Sequence, residues 1–179
     1  QGHSAQNIEG ADLVVYTAAV KDDNPELMEA KKQNIPHMDR ATLLGQIMET
    51  FPFAIGVAGA HGKTTATSML SIMMNHAELN PTILVGGELD EIGGNVQTGE
   101  SEYFITEACE YMDSFLKFHP FMAIILNIDE DHLDYFKDIS QIYQSFLDYA
   151  DLVPESGYVI ACGDDPLATK LMKKVNCNT

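Results

Sequence analysis

The segment GVAGAHGKTT, residues 56–65, constrains the fold of this chain more than any other part of the sequence. It continues an apolar run at residues 53–59 and opens a helical pattern at residues 64–77. A strand that passes through a glycine-rich turn into a helix is the context expected of a phosphate-binding loop. Glycines let backbone N–H groups approach phosphate oxygens, and the helix N-terminus adds a partial positive charge. The sequence therefore predicts a polyphosphate site at this turn.

Two side chains of the turn suit that role. Lys63 can reach the β and γ phosphates of a nucleotide, and the Thr64 hydroxyl can ligate Mg²⁺. His61 lies inside the turn and could contact substrate or phosphate, or could only pack the loop. The alternative for the whole segment is a glycine turn that carries a solvated lysine.

The turn departs from the usual pattern G-x-x-x-x-G-K-[ST] in one respect. That pattern would place its first glycine at Val57, whereas the glycines that precede Gly62 in this chain are Gly56 and Gly59.

The charge of the chain limits its partners. It contains 27 acidic and 10 basic residues, for a formal net charge of −17. Such a charge disfavours broad electrostatic binding to nucleic acid or to an anionic membrane, so we expect neither partner. Arg40 is the single arginine. Phosphate must therefore be bound locally, by backbone amides, a lysine and metal cations.

The cysteine spacing fits neither a zinc site nor a disulfide framework. We expect reduced, buried thiols at Cys109, Cys162 and Cys177, as in a cytosolic protein.

Apolar runs alternate with helical patterns along the chain, which predicts an α/β fold with a parallel sheet and helices on both faces. A boundary is expected near residues 50–52. Helix caps are expected at Asn24, which precedes Pro25, and at Asp39. Residues 93–99, GGNVQTG, are predicted to be a turn or loop. Strands are predicted at residues 11–17, 53–59, 82–87, 102–107, 121–127 and 158–162, and the later helices at 64–77, 139–150 and 166–175.

In a parallel sheet the ligand site lies at the carboxyl ends of the strands. Glu107 ends the apolar strand YFITE, where a carboxylate commonly holds the metal, although aspartate is more usual. An exposed strand-end carboxylate is the alternative. Glu110 and Asp113 follow closely, and we interpret both as solvated turn carboxylates.

The segment NIDEDHLD, residues 127–134, places four carboxylates around His132. A histidine in such a loop can be merely a protonatable surface group. Its position after a strand favours a metal ligand instead, and a second metal would help to neutralise phosphates.

Three segments, GVAGAHGKTT, ITEACEYMDSFLKFHP and NIDEDHLDYF, resemble the central domain of the Mur ligases. The segments ADLVVYTAAVKDDNPEL and NIPHMDRATLLGQIM resemble the end of the N-terminal, UDP-binding domain of that family. The resemblance implies an incomplete, P-loop-type ATP-binding domain at residues 51–179. It implies part of a Rossmann-like domain at residues 1–50.

The resemblance also implies an activity in the bacterial cytoplasm. An ATP-dependent ligase would join L-alanine to the lactyl carboxylate of UDP-N-acetylmuramate through an acyl phosphate, in peptidoglycan precursor synthesis. Two alternatives stay open: a murein-recycling ligase that adds a tripeptide to the same sugar nucleotide, and a nucleotide-binding module without catalysis. The sequence does not predict the oligomeric state.

Residues at matching motif positions are assigned the roles that the resemblance implies. The loop at residues 17–20 would border the UDP-sugar. Thr64 and Glu107 would ligate one Mg²⁺ and His132 a second, and Lys63, Glu107 and His132 would be the catalytic residues. ATP would be held by Gly59, Ala60, His61, Gly62, Lys63, Thr64, Thr65 and Asn127.

The sequence lacks some features of the family. Its opening glycine-rich turn, the end of the central domain and the C-terminal domain are not found. Several Mur ligases carry a carbamylated lysine on the helix after the histidine motif, but the corresponding ISQIYQSFLDYA contains no lysine. We therefore expect a fragment of a ligase that is inactive alone and has no carbamylated lysine.

Overall fold

The computed structural model describes residues 2–179, which form a mixed α/β fold with one two-stranded and one six-stranded sheet. The strands are β1 Val14–Tyr16, β2 His37–Asp39, β3 Phe53–Ala58, β4 Thr82–Leu89, β5 Gly94–Gln97, β6 Tyr103–Glu107, β7 Met122–Ile125 and β8 Tyr158–Ala161. The α-helices are α1 Pro25–Lys32, α2 Arg40–Met48, α3 Lys63–His76, α4 Ile139–Ala150 and α5 Pro166–Met172. Short 3₁₀ helices span Ala5–Ile8, Asp90–Ile92 and Tyr111–Lys117.

The small sheet is a β-α-β unit in which β1 and β2 pair in parallel on either side of α1. Both predicted helix caps are confirmed. Asn24 accepts a hydrogen bond from the N–H of Glu26 at 2.9 Å, and Asp39 accepts one from the N–H of Thr42 at 3.0 Å. The short strand β2 was not predicted, because its three residues, His37–Asp39, contain no apolar run.

The large sheet has the strand order β5-β4-β6-β3-β7-β8. Its strands are parallel, as predicted, except for β5, which pairs antiparallel with β4. The prediction of a loop at residues 93–99 was therefore wrong. Adjacent glycines and polar residues disfavour a strand locally, but the edge of β4 supplies backbone partners. Asn75 and Gln97 also exchange two side-chain hydrogen bonds, of 2.9 and 3.0 Å, which hold β5 against α3.

Apolar side chains pack on both faces of the large sheet, as predicted for a doubly covered sheet. Neighbouring residues alternate between the faces, so Ala54 and Phe104 join one core while Ile55 and Ile105 join the other. Helix α3 covers the second face, and helices α2, α4 and α5 cover the first. The predicted amphipathic helix α4 is confirmed, since its apolar stripe is buried there.

The cysteines differ from the prediction. All three are free thiols, but Cys109 and Cys162 are exposed and Cys177 is half-buried. Among the described residues, no helix combines the length and the apolar character needed to cross a membrane.

Candidate nucleotide-binding site

The sheet brings the predicted site segments together. Strands β6, β3 and β7 are neighbours, with Val57 opposite Glu107 and Ala58 opposite Ile125. The chain leaves each of these strands at the same edge of the sheet. The glycine loop, Glu107 and the Asn127 segment therefore meet at the carboxyl edge, where ligands bind in sheets of this kind.

The glycine loop connects β3 directly to α3. Gly59 and Gly62 have positive φ angles of 147° and 83°, which side-chain-bearing residues rarely adopt. Gly62 is the N-cap of α3, and no side chain caps the helix. The N–H groups at the start of this 14-residue helix therefore face the loop.

The unusual glycine spacing has a packing explanation. Val57, where the usual pattern has glycine, is buried in β3 at 1% exposure. A Cβ on Gly56 would overlap the hydroxyl of Tyr149 on α4. Gly56 is therefore required by the core behind the loop, not by a phosphate.

Lys63 is held inside the loop by an ion pair. Its Nζ atom donates to the Gly59 carbonyl at 2.6 Å and lies 3.0 and 3.2 Å from the two carboxylate oxygens of Glu110. The interpretation of Glu110 as a solvated turn carboxylate was wrong, because this residue is 1% exposed. Left-handed backbone at Met112 and Asp113 turns the chain just after Glu110, and no sequence pattern signalled that turn.

His132 faces the same carboxylate. Its Nε2 atom lies 3.8 Å from Glu110 Oε1, and its Nδ1 atom lies 3.9 Å from Asp131 Oδ1. Ligand atoms of Glu110, Asp131 and His132 all lie within 4.8 Å of one another. Two carboxylates and an imidazole at this separation could hold a divalent cation. Sequence reasoning singled out His132 and the carboxylates of its loop, which include Asp131, but did not pair His132 with Glu110.

Glu107 and Thr64 lie beside β4, in a different part of the site. The half-buried Glu107 carboxylate accepts a hydrogen bond from the N–H of Gly86 at 2.5 Å. A Cβ on Gly87 would lie 3.3 Å from Thr64 Cγ2. The two adjacent glycines of β4 thus leave room for both side chains. The structure groups His132 with Glu110 and Asp131, not with Glu107 and Thr64.

Two tyrosine–aspartate hydrogen bonds join the 3₁₀ helix Tyr111–Lys117 to the histidine loop. Tyr111 donates to Asp134 at 3.0 Å, and Tyr135 donates to Asp113 at 2.5 Å. These bonds to carboxylates raise the pKa of both tyrosines. Asp113 also accepts from Ser145, so its interpretation as a solvated carboxylate was wrong as well.

A cavity of about 550 Å³ adjoins Glu107. Its walls come from the loop after β1, the start of α2, the middle of β4 and the 3₁₀ helix that contains Tyr111. The loop at residues 17–20, which sequence reasoning placed beside a sugar nucleotide, lines this cavity together with Glu107.

The parallel sheet and the glycine loop between β3 and α3 define a protein of the phosphate-loop α/β class. The Mur ligase middle domain matches residues 57–179, and the Mur ligase family catalytic domain matches residues 1–52. The chain belongs to the Mur ligase family.

Comparison with individual proteins agrees with this family. A UDP-N-acetylmuramate–L-alanine ligase from Acetivibrio thermocellus is 60% identical over 177 residues, which are 99% of this chain and 38% of that protein. The crystal structure of UDP-N-acetylmuramate-alanine ligase from Thermotoga maritima matches with 29% identity and a TM-score of 0.84, over 94% of this chain and 39% of that one.

A second solved structure is also similar. The UDP-N-acetylmuramate:L-alanyl-gamma-D-glutamyl-meso-diaminopimelate ligase from Neisseria meningitides matches with 26% identity and a TM-score of 0.89, over 99% of this chain and 61% of that one. The chain spans 38% of the length of the first curated relatives that it matches.

Proposed function

We propose that this chain supplies the ATP-binding part of an amide ligase that joins L-alanine to UDP-N-acetylmuramate. The observation that carries the proposal is the glycine loop at the start of α3 in a chain of this family, because its Lys63 is paired with Glu110, the carboxylate that His132 approaches. Residues 51–179 would form the ATP-binding domain, and residues 1–50 would be part of the UDP-binding domain.

The loop is suited to a triphosphate. Within the loop from Gly59 to Thr65, the backbone N–H groups at the N-terminus of α3 would surround the phosphate oxygens, since those of Ala60 and His61 are bonded to Asn127. Lys63 is the first residue of α3, from where its ammonium can reach the β and γ phosphates. Ala60, His61 and Asn127 would shape the rim of this cradle.

The oxygen atoms of Thr64, Glu107, Glu110 and Asp131 suit Mg²⁺, which prefers oxygen ligands. Thr64 and Glu107 would hold one ion beside β4, and His132 a second ion near Glu110 and Asp131. Bound Mg²⁺ would offset the charge of the phosphates. Because Arg40 is the single arginine of the chain, that offset has few other sources here.

The remaining task of the chain is alignment. The cavity beside Glu107 would hold the sugar nucleotide with its lactyl carboxylate toward the phosphate loop. Attack of that carboxylate on the γ-phosphate gives an acyl phosphate and ADP. The amine of L-alanine then displaces phosphate to form the amide. Holding the reactants in line contributes much of the acceleration in such transfers.

The higher identity to relatives named for L-alanine favours L-alanine over the tripeptide as the amine donor. The structural likeness to the Neisseria meningitides ligase keeps the tripeptide as the second candidate.

A chimera tests the proposal. This chain replaces the aligned 177-residue segment of the Acetivibrio thermocellus relative, and ADP release is measured. We expect release that requires UDP-N-acetylmuramate and the amine donor together. A folded chimera that binds ATP without turnover would instead support a nucleotide-binding module. Replacing L-alanine by the tripeptide in the same assay separates the two ligase candidates.

A further inference from the structure

Glu110 is paired with Lys63, the same side chain that the proposed function assigns to the phosphates of ATP. Its carboxylate is almost fully buried and lies 3.0 Å from Lys63 Nζ. If Lys63 moves to a polyphosphate, Glu110 loses this partner. An unpaired buried carboxylate is strongly unfavourable, so another positive charge must take the place of the ammonium.

The His132 loop offers a place for that charge. His132 Nε2 lies 3.8 Å from Glu110 Oε1, on the same carboxylate that Lys63 contacts. Asp131 completes a set of three donors within 4.8 Å. A divalent cation bound by these donors would neutralise Glu110 as Lys63 leaves.

We propose that Glu110 is a positioning residue that exchanges counterions: Lys63 when the site is empty, and a divalent cation with His132 and Asp131 when a nucleotide is bound. This inference rests on the proposed nucleotide site. Lys63 and the cation compete for one carboxylate, while polyphosphate and Lys63 attract each other. Cation and nucleotide therefore favour each other's binding through Glu110, and this coupling is reciprocal.

The competition predicts the behaviour of the nucleotide-free protein toward Mn²⁺. Lys63→Met removes the competing ammonium, so we expect Mn²⁺ to bind about tenfold more tightly than to the wild type, a typical size for coupling between two ligands. Binding is measured by the electron paramagnetic resonance of free Mn²⁺. The matched control is Lys32→Met, which removes a lysine from the exposed Lys32–Glu29 pair and should leave Mn²⁺ affinity unchanged.

The complementary variant is Glu110→Gln, which keeps the shape of the side chain and removes its charge. In EDTA, ATP should bind this variant about tenfold more tightly than the wild type, because Lys63 is free to meet the phosphates. The increase in ATP affinity on adding Mg²⁺ should be correspondingly smaller in this variant than in the wild type. Calorimetry gives both affinities, and Glu29→Gln, the other half of the control pair, should behave as wild type.

The outcomes separate this inference from the proposed function. Wild type that binds Mg-ATP, together with Glu110→Gln that binds metal-free ATP no more tightly, overturns the counterion exchange alone. Wild type that does not bind Mg-ATP at all overturns both. Circular dichroism shows whether each variant is folded. If Lys63→Met unfolds because Glu110 is left unpaired, the Glu110→Gln comparison decides by itself.

Discussion

The side chain of Asn127 holds the phosphate loop by exchanging two hydrogen bonds with the backbone of His61. Its Oδ1 atom accepts from the His61 N–H at 2.9 Å, and its Nδ2 atom donates to the His61 carbonyl at 3.0 Å. The His61 imidazole itself is exposed, 3.9 Å from Asp129. Asn127 thus fixes the loop through its main chain and ties the end of β7 to the start of α3.

Asn127→Ala should weaken ATP binding. The loss of two hydrogen bonds, each worth about 1 kcal/mol, leaves the loop less ordered, so we expect the Kd for Mg-ATP to rise about tenfold. The control is Asn75→Ala, which breaks the equivalent reciprocal amide pair with Gln97 on α3 and β5. It should lower stability but leave the Kd unchanged. Equal affinities in both variants would show that the Asn127 bonds do not order the cradle.

Gly86→Ala should raise the Mg²⁺ requirement. The new Cβ would lie 2.9 Å from Glu107 Oε1, so the carboxylate must move. We expect the Mg²⁺ concentration for half-maximal ATP binding to increase about tenfold, as when a group that orients a metal ligand is altered. Gly94→Ala on β5 has open space around its Cβ and serves as the control. An unchanged magnesium titration would remove Glu107 from the proposed metal site.

Gly56→Ala should destabilise the fold, and Tyr149→Phe should rescue it. A Cβ on Gly56 overlaps the Tyr149 hydroxyl, and such overpacking costs about 1–3 kcal/mol. That hydroxyl is buried without a hydrogen-bond partner among the described residues, and burial raises its pKa, so it stays protonated. Tyr149→Phe alone should be neutral or slightly stabilising. Urea denaturation of the single and double variants tests this, and additive losses would argue against the contact.

Asp39→Asn should lose stability at neutral pH but not at low pH. Burial raises the pKa of Asp39, but hydrogen bonds from Lys117 and Thr42 outweigh it and lower the pKa to about 2. Because the folded pKa lies below the unfolded one, the charge stabilises above about pH 4, and this contribution is lost as the pH falls toward 2. Asparagine keeps the Oδ1 atom that accepts from the Thr42 N–H, and it loses the charge together with the Oδ2 atom that accepts from Lys117 and the Thr42 hydroxyl.

We expect Asp39→Asn to lower the free energy of unfolding by about 1 kcal/mol at pH 7, with most of this difference from wild type gone near pH 2. Urea denaturation across this range measures both. Asp138, which caps α4 through Gln141 and has no lysine partner among the described residues, provides the matched Asp138→Asn control. A constant difference at every pH would mean that the ion pair with Lys117 contributes nothing.

Local patterns in the sequence determined most of the fold. Long apolar runs such as residues 53–59 and 121–127 indicate buried strands from local sequence alone. Side chains such as Asn24 and Asp39 cap the helices that follow them. The loop that contains Gly59 and Lys63 was also readable from sequence. Its glycines, lysine and following helix are contiguous, so its backbone form was predictable, whereas its contacts with Asn127 and Glu110 were not.

The tertiary structure decided what depends on residues far apart in the chain. Strand β5 exists because the edge of β4 offers it backbone partners, although its own residues favour a loop. Gly56 is a glycine because Tyr149 packs on it from α4. Glu110 looks like any acidic turn residue until folding buries it against Lys63, 47 positions away. A carboxylate's environment is set by what surrounds it in space, and local sequence carries no record of those neighbours.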